Sequence, residues 1–142
     1  MLLTIDLSSE TPLYQQLRDH VVEAIAAGSL PAGSGLPATR RLAAEFGINF
    51  HTVNKAYDLL RQEGLVRLTR KQGAVVQRDP ASGPPAAGFA DAWQARARTL
   101  LAEAVAQGLT PDEILDACRA VLAGFESGTA GETPSPGEGL RP

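Results

Sequence analysis

Gly47-Ile48-Asn49 separates two short segments that each carry helical apolar spacing, and no other feature limits the fold of this chain as strongly. Upstream, a helix is expected from near Pro37 to Phe46, with Leu42 and Phe46 on its apolar side. Downstream, Val53, Ala56, Tyr57 and Leu60 share one face of a helix running roughly from Phe50 to Glu63. Gly47 supplies a helix stop, and Asn49 supplies a cap for the helix that follows. So short a connection makes the second helix cross the first steeply, as a helix-turn-helix requires.

The flanking segments extend this unit in both directions. Thr11-Pro12 reads as the cap and first residue of an earlier helix, in which Leu13, Leu17, Val21 and Ile25 recur every four positions up to Gly28. The following SLPAGSGLP cannot continue a helix, because its prolines lack donors and its glycines relax the backbone, so a tight connector is expected. After Gly64 the period changes. Leu65, Val66 and Leu68, then Ala74, Val75 and Val76, flank TRKQG and predict a β-hairpin with a basic tip. The fold class is therefore mainly α with a small β-hairpin wing, a winged helix-turn-helix over residues 1–78.

Residues 79–88, DPASGPPAAG, read as a linker, since almost nothing in them can fill a core. Phe89, Trp93, Ala97, Leu100, Leu101, Ala104 and Val105 then mark a helix ending at Gly108. Thr110-Pro111-Asp112-Glu113 has the capping-box form and opens a further helix with Ile114, Leu115, Cys118, Val121, Leu122 and Phe125. Two helices of this size bury their own apolar stripes poorly. Residues 89–127 are accordingly read as a dimerisation and effector region, packed on a second subunit through Trp93, Leu100, Leu101, Ile114, Leu115, Val121, Leu122 and Phe125. The Gly-, Pro-, Ser- and Glu-rich residues 128–142 predict disorder.

Charge is distributed unevenly along the 142 residues, whose net charge is −3. Residues 40–78 hold eight Lys/Arg against three Asp/Glu, whereas residues 80–142 hold four against eight. A local basic excess on an acidic chain fits a polyanion partner, because affinity for nucleic acid depends on where positive charge is displayed. Catalysis has little to work with. Among possible catalytic groups there are two histidines, His20 and His51, and one cysteine, Cys118, with no Gly-rich phosphate loop and no His-Glu metal spacing. His20 reads as a boundary residue and Cys118 as buried filler on an apolar face. No enzyme activity, cofactor or metal is expected. The N-terminal MLLTIDLSSET has no basic region or long apolar run, so it reads as neither signal peptide nor span, and a cytoplasmic protein with no membrane partner is expected.

In a helix-turn-helix the first turn of the second helix enters the major groove, which here presents Asn49, Phe50, His51, Thr52, Asn54 and Lys55. Asn54 can pair with an adenine edge or bind a phosphate, His51 and Thr52 can bond a base or the backbone, and Lys55 suits phosphate. Free N–H groups at that helix start add an anion site. Phe50 either touches a thymine methyl or packs into the turn. Arg40, in the preceding helix, can reach a phosphate or a guanine edge. Arg70 and Lys71 at the hairpin tip suit minor-groove or phosphate contact, and Tyr57 reads as core with its hydroxyl at the margin.

Residues 12–76 resemble the DNA-binding domain of GntR-type bacterial repressors. The resemblance is carried by P-L-Y-Q-Q at Pro12 to Gln16, the G-x-L-x-x-G-x-x-LP pattern from Gly28 to Pro37, Arg40 of LPATR, the G-I-N-x-x-TV turn from Gly47 to Val53, Ala56-Tyr57, and EGL before the wing. The P-x-Y start, the AY pair and the short two-helix C-terminal region look like the YtrA branch, whose members often regulate neighbouring transporter operons. By that resemblance, DNA contacts fall on Arg40, Asn49, Phe50, His51, Thr52 and Asn54, with wing contacts on Arg70 and Lys71. Two positions depart from the pattern: Phe50 stands where the branch usually has Pro or Arg, and Lys71 where it has a wing-tip glycine. The implied protein is a homodimeric repressor of double-stranded DNA at an inverted repeat, with an effector of unassigned identity. The rival reading is a winged helix that binds protein without binding DNA.

Overall fold

The computed structural model describes residues 4–126, and the expectation for residues 128–142 lies outside them. The chain divides into two units, one containing residues 4–82 and the other residues 83–124. In the first, α1 (Leu13–Ala26), α2 (Thr39–Phe46) and α3 (Phe50–Gln62) are followed by β1 (Val66–Thr69) and β2 (Gly73–Val76). Leu17, Val21 and Ile25 of α1 meet Leu42 and Ala43 of α2, and Val53, Ala56, Tyr57 and Leu60 of α3, in one core closed by Val66, Ala74 and Val76. Burying each large member contributes about 1.5–3 kcal/mol.

The helix ends follow local chemistry, with one exception. Gly47 ends α2 at φ 65°, a left-handed conformation that a side chain rarely adopts. The Asn49 side chain caps α3 by accepting the His51 amide at 2.9 Å. At the start of α1 the expected Thr11 cap does not form. Pro12 is itself the cap residue, and the Gln16 amide instead donates to the carbonyls of Asp6 and Thr11, while its oxygen accepts the Asp6 N–H.

The hairpin is antiparallel, with Val66 opposite Val76 and Leu68 opposite Ala74. Leu68, read from sequence as part of the apolar run, is 62% exposed, although Val66 on the same strand and Ala74 opposite it are buried. The connector between α1 and α2 does more than turn. Gly35 bridges Val75, and Leu36 donates to the Ala74 carbonyl at 2.8 Å, so the connector pairs along the outer edge of β2. Asp79 accepts the Ala32 amide at 2.8 Å and ties the end of the wing to the same connector; this bond and a second from Ala81 hold its carboxyl below the ordinary aspartate range.

The second unit contains α4 (Phe89–Ala106), and α5 (Pro111–Glu126) lies almost wholly within it. Gly108 turns the chain at φ 100°, and Thr110 and Glu113 form the reciprocal capping box, with the Glu113 amide donating to the Thr110 hydroxyl at 3.2 Å. Neither helix buries a single residue within the chain. Cys118, expected to be buried, is exposed, because the apolar face that carries it is left uncovered in the isolated chain.

Candidate nucleic-acid interface

The start of α3 and the first turn of α2 assemble most of the expected contact residues. Arg40, the second residue of α2, is exposed and lays its guanidinium carbon 4.5 Å from the centre of the Phe50 ring. Phe50 is half-buried and packs against the core. Its ring also lies 4.1 Å from the His51 imidazole, tilted by 32°. Asn49 and His51 are exposed, whereas Thr52 and Asn54 are half-buried.

Two expectations are modified by this geometry. The His51 amide is occupied by the Asn49 side chain, so it is not among the donors open to a phosphate. Lys55 is exposed, but its ammonium lies 4.0 Å over the Tyr14 ring of α1, a cation–π contact that holds it beside α1. Nothing local in the sequence signals that pair, since about 40 positions separate the residues. The other arginines of this stretch divide clearly. Arg41 pairs with Glu45 at 3.3 Å and Arg61 with Asp58 at 3.3 Å, whereas Arg40 meets no carboxylate among the described residues. Its donors are open to a ligand.

Tyr57 fixes the base of this arrangement. Its hydroxyl donates to the Pro37 carbonyl at 2.7 Å, linking the middle of α3 to the residues that lead into α2, and burial pushes its ionisation well above the ordinary tyrosine value. Arg18 of α1 forms a two-pronged ion pair with Glu63 just beyond α3, which joins those helices at the opposite end. The wing tip is a separate element. Arg70 and Lys71 are exposed in a turn whose Thr69 hydroxyl accepts the Gln72 amide at 2.9 Å and donates to the Gly73 carbonyl at 3.2 Å. Both cations are thus carried on a braced turn.

Known proteins share this architecture. The family model described as bacterial regulatory proteins, gntR family, matches residues 13–76. The HTH-type transcriptional regulator Rv1152 of Mycobacterium tuberculosis is 32% identical over 114 residues, covering 80% of this chain and 88% of that protein. The chain belongs to the GntR family. Within it the features are those of the YtrA-type branch: the transcription factor YtrA from Sulfolobus acidocaldarius superposes with a TM-score of 0.58 at 36% identity, over 75% of this chain and 99% of its own. The HTH-type transcriptional repressor YtrA of Bacillus subtilis is 35% identical over 75 residues, which span 53% of this chain and 58% of that protein. As a GntR-family member the chain is a sequence-specific DNA-binding transcriptional regulator and not an enzyme. Among the described residues, no helix is long and apolar enough to cross a membrane.

Proposed function

We propose that this GntR-family regulator is a cytoplasmic homodimeric repressor that seats one α3 helix in each half of an inverted repeat and silences a promoter by occupying it. By analogy with the YtrA-type branch, the controlled genes would form a transporter operon. The DNA-contacting set is Arg40, Asn49, Phe50, His51, Thr52, Asn54 and Lys55, with Arg70 and Lys71 on the wing. Its polar N–H and C=O groups suit base edges and its cations suit phosphates.

The observation that carries the dimer is the bare apolar surface of α4 and α5. Trp93, Leu100, Val121 and Leu122 are each more than half exposed, and Leu101 and Leu115 stand beside them in the same state or nearly so. Ile114 and Phe125 are half-buried. Helices with this much uncovered apolar surface require a partner, and a second copy meeting the first about a two-fold axis would set the half-site spacing at about 34 Å or a multiple of it. The open groove of about 410 Å³ between α4 and α5, lined by Leu100, Leu101, Ala104, Ile114 and Cys118, is the surface through which an effector would act on that dimer.

The test pairs sedimentation velocity with fluorescence anisotropy on DNA taken from immediately upstream of the gene, in about 150 mM salt. A dimer that binds this duplex at least about 100-fold more tightly than a scrambled one, at two protomers per site, is the expected result. A double variant, Leu100→Asp with Leu122→Asp, should sediment as a folded monomer and lose most of that affinity. If the wild-type protein is monomeric at micromolar concentration and still saturates at one protomer per site, the dimer reading fails.

A further inference from the structure

The position at which the chain departs most visibly from its family pattern is also the one with the most unusual surroundings. Phe50 begins α3, and its ring is flanked by two groups that the proposed function places against DNA, the Arg40 guanidinium from α2 and the neighbouring His51 imidazole. The ring itself is anchored, since it packs on the core formed by α1, α2 and α3. A long arginine side chain on an exposed surface ordinarily samples many rotamers and loses that freedom on binding. Here it has a fixed aromatic platform and no competing carboxylate among the described residues, while Arg41, one position on, is held by Glu45. A guanidinium resting on an aromatic face keeps its in-plane N–H donors available for a planar, two-pronged acceptor.

We infer that Phe50 is a positioning residue for sequence readout: by holding Arg40 over its ring, it directs the guanidinium to one guanine edge in each half-site. This rests on the DNA-binding reading given above and adds to it the base class and the residue that sets the preference. Guanine is the acceptor that fits, because its O6 and N7 accept two parallel N–H bonds from a guanidinium, whereas adenine presents a donor at one of those positions. A phosphate would also accept from Arg40, but that contact would be blind to sequence. The two acceptors therefore separate in a selection experiment.

The experiment uses the full chain and a pool of randomised duplexes. Wild-type protein, F50Y and F50L are each carried through rounds of selection, and affinities for the enriched duplex and for single-base variants of it are read by anisotropy. Phe50→Tyr keeps the ring, whereas Phe50→Leu keeps apolar packing without the π face. The wild type and F50Y should enrich a half-site with one dominant guanine. F50L should lose the preference at that base pair alone and bind the enriched duplex about two- to five-fold more weakly, the range of an exposed cation–π contact.

A merely structural role for Phe50 is separated by the Arg40→Ala background. There F50L should cause no further loss, and melting curves should show all variants folded. Additive losses from R40A and F50L, or an F50L pool with the wild-type motif intact, would overturn the inference while leaving DNA binding standing. Loss of affinity spread evenly over all base pairs would assign Arg40 to phosphate and overturn it as well. A wild-type pool with no enriched motif would remove the DNA-binding reading, and this inference with it.

Discussion

Replacing Tyr57 by Phe removes one oxygen atom and leaves the ring that fills the core between α2 and α3. That oxygen donates to the Pro37 carbonyl at 2.7 Å, in a residue only 5% exposed. The net value of such a hydrogen bond is about 1 kcal/mol. The Pro37 residue is half-exposed, so water can reach the freed carbonyl and no larger penalty is expected. For a unit of this size, about 1 kcal/mol corresponds to a fall in melting temperature of roughly 4–8 °C at pH 7. The sign reverses in alkali. Because burial raises the ionisation of Tyr57 in the folded protein, the folded state holds that proton more tightly than the unfolded state does. The associated stability is intact below the ordinary tyrosine value of about 10 and is lost as pH rises beyond it, at up to about 1.4 kcal/mol per pH unit. The Phe variant has no such proton to lose. Its disadvantage of about 1 kcal/mol should vanish near pH 11 and become an advantage above it. Urea unfolding of both proteins at pH 7, 9, 10, 11 and 11.5, followed by circular dichroism, measures the difference directly. Parallel curves with no crossing would refute the claim that this phenol is buried and bonded when the protein is folded.

The cap of α3 separates stability from binding. Asn49→Ala should cost about 1 kcal/mol in thermal unfolding, whereas Asn49→Asp should keep the cap and stability but weaken DNA binding by bringing negative charge to the groove-facing turn. At the wing, Arg70→Gln with Lys71→Gln should leave stability unchanged to within about 0.5 kcal/mol. In the same double variant the slope of log affinity against log salt should become shallower by about one unit for each phosphate no longer neutralised, as read by anisotropy across a salt series. In the core, Leu60 is fully buried, so Leu60→Ala should lower the free energy of unfolding by about 2–5 kcal/mol in urea titrations.

Much of this protein is written in short stretches of its chain. The Gly47 stop, the Asn49 cap and the Thr110-Glu113 box each depend on residues within about one helical turn, so backbone preference and side-chain reach determine them before any tertiary contact forms. The apolar spacing in α1 and α3 likewise determines which face turns inward. The candidate residues at the start of α3 were legible for the same reason: they follow from where the second helix of the turn begins.

What the sequence could not decide involves pairs far apart along the chain or the distance to which a core extends. Lys55 resting on Tyr14, Tyr57 donating to Pro37 and Gly35 bridging Val75 all require separate elements to arrive at one place. Arg40 over Phe50 is the case on which the proposed base readout rests. Only about ten positions separate them, yet they stand on different helices, and sequence spacing does not say which side chains meet across the turn. The apolar run before the hairpin included Leu68 without saying that nothing would cover it. Periodicity put Cys118 on an apolar face but could not tell whether the same chain covers that face. Periodicity is a property of one element, whereas coverage and contact are properties of its neighbours, and those were decided by the tertiary structure alone.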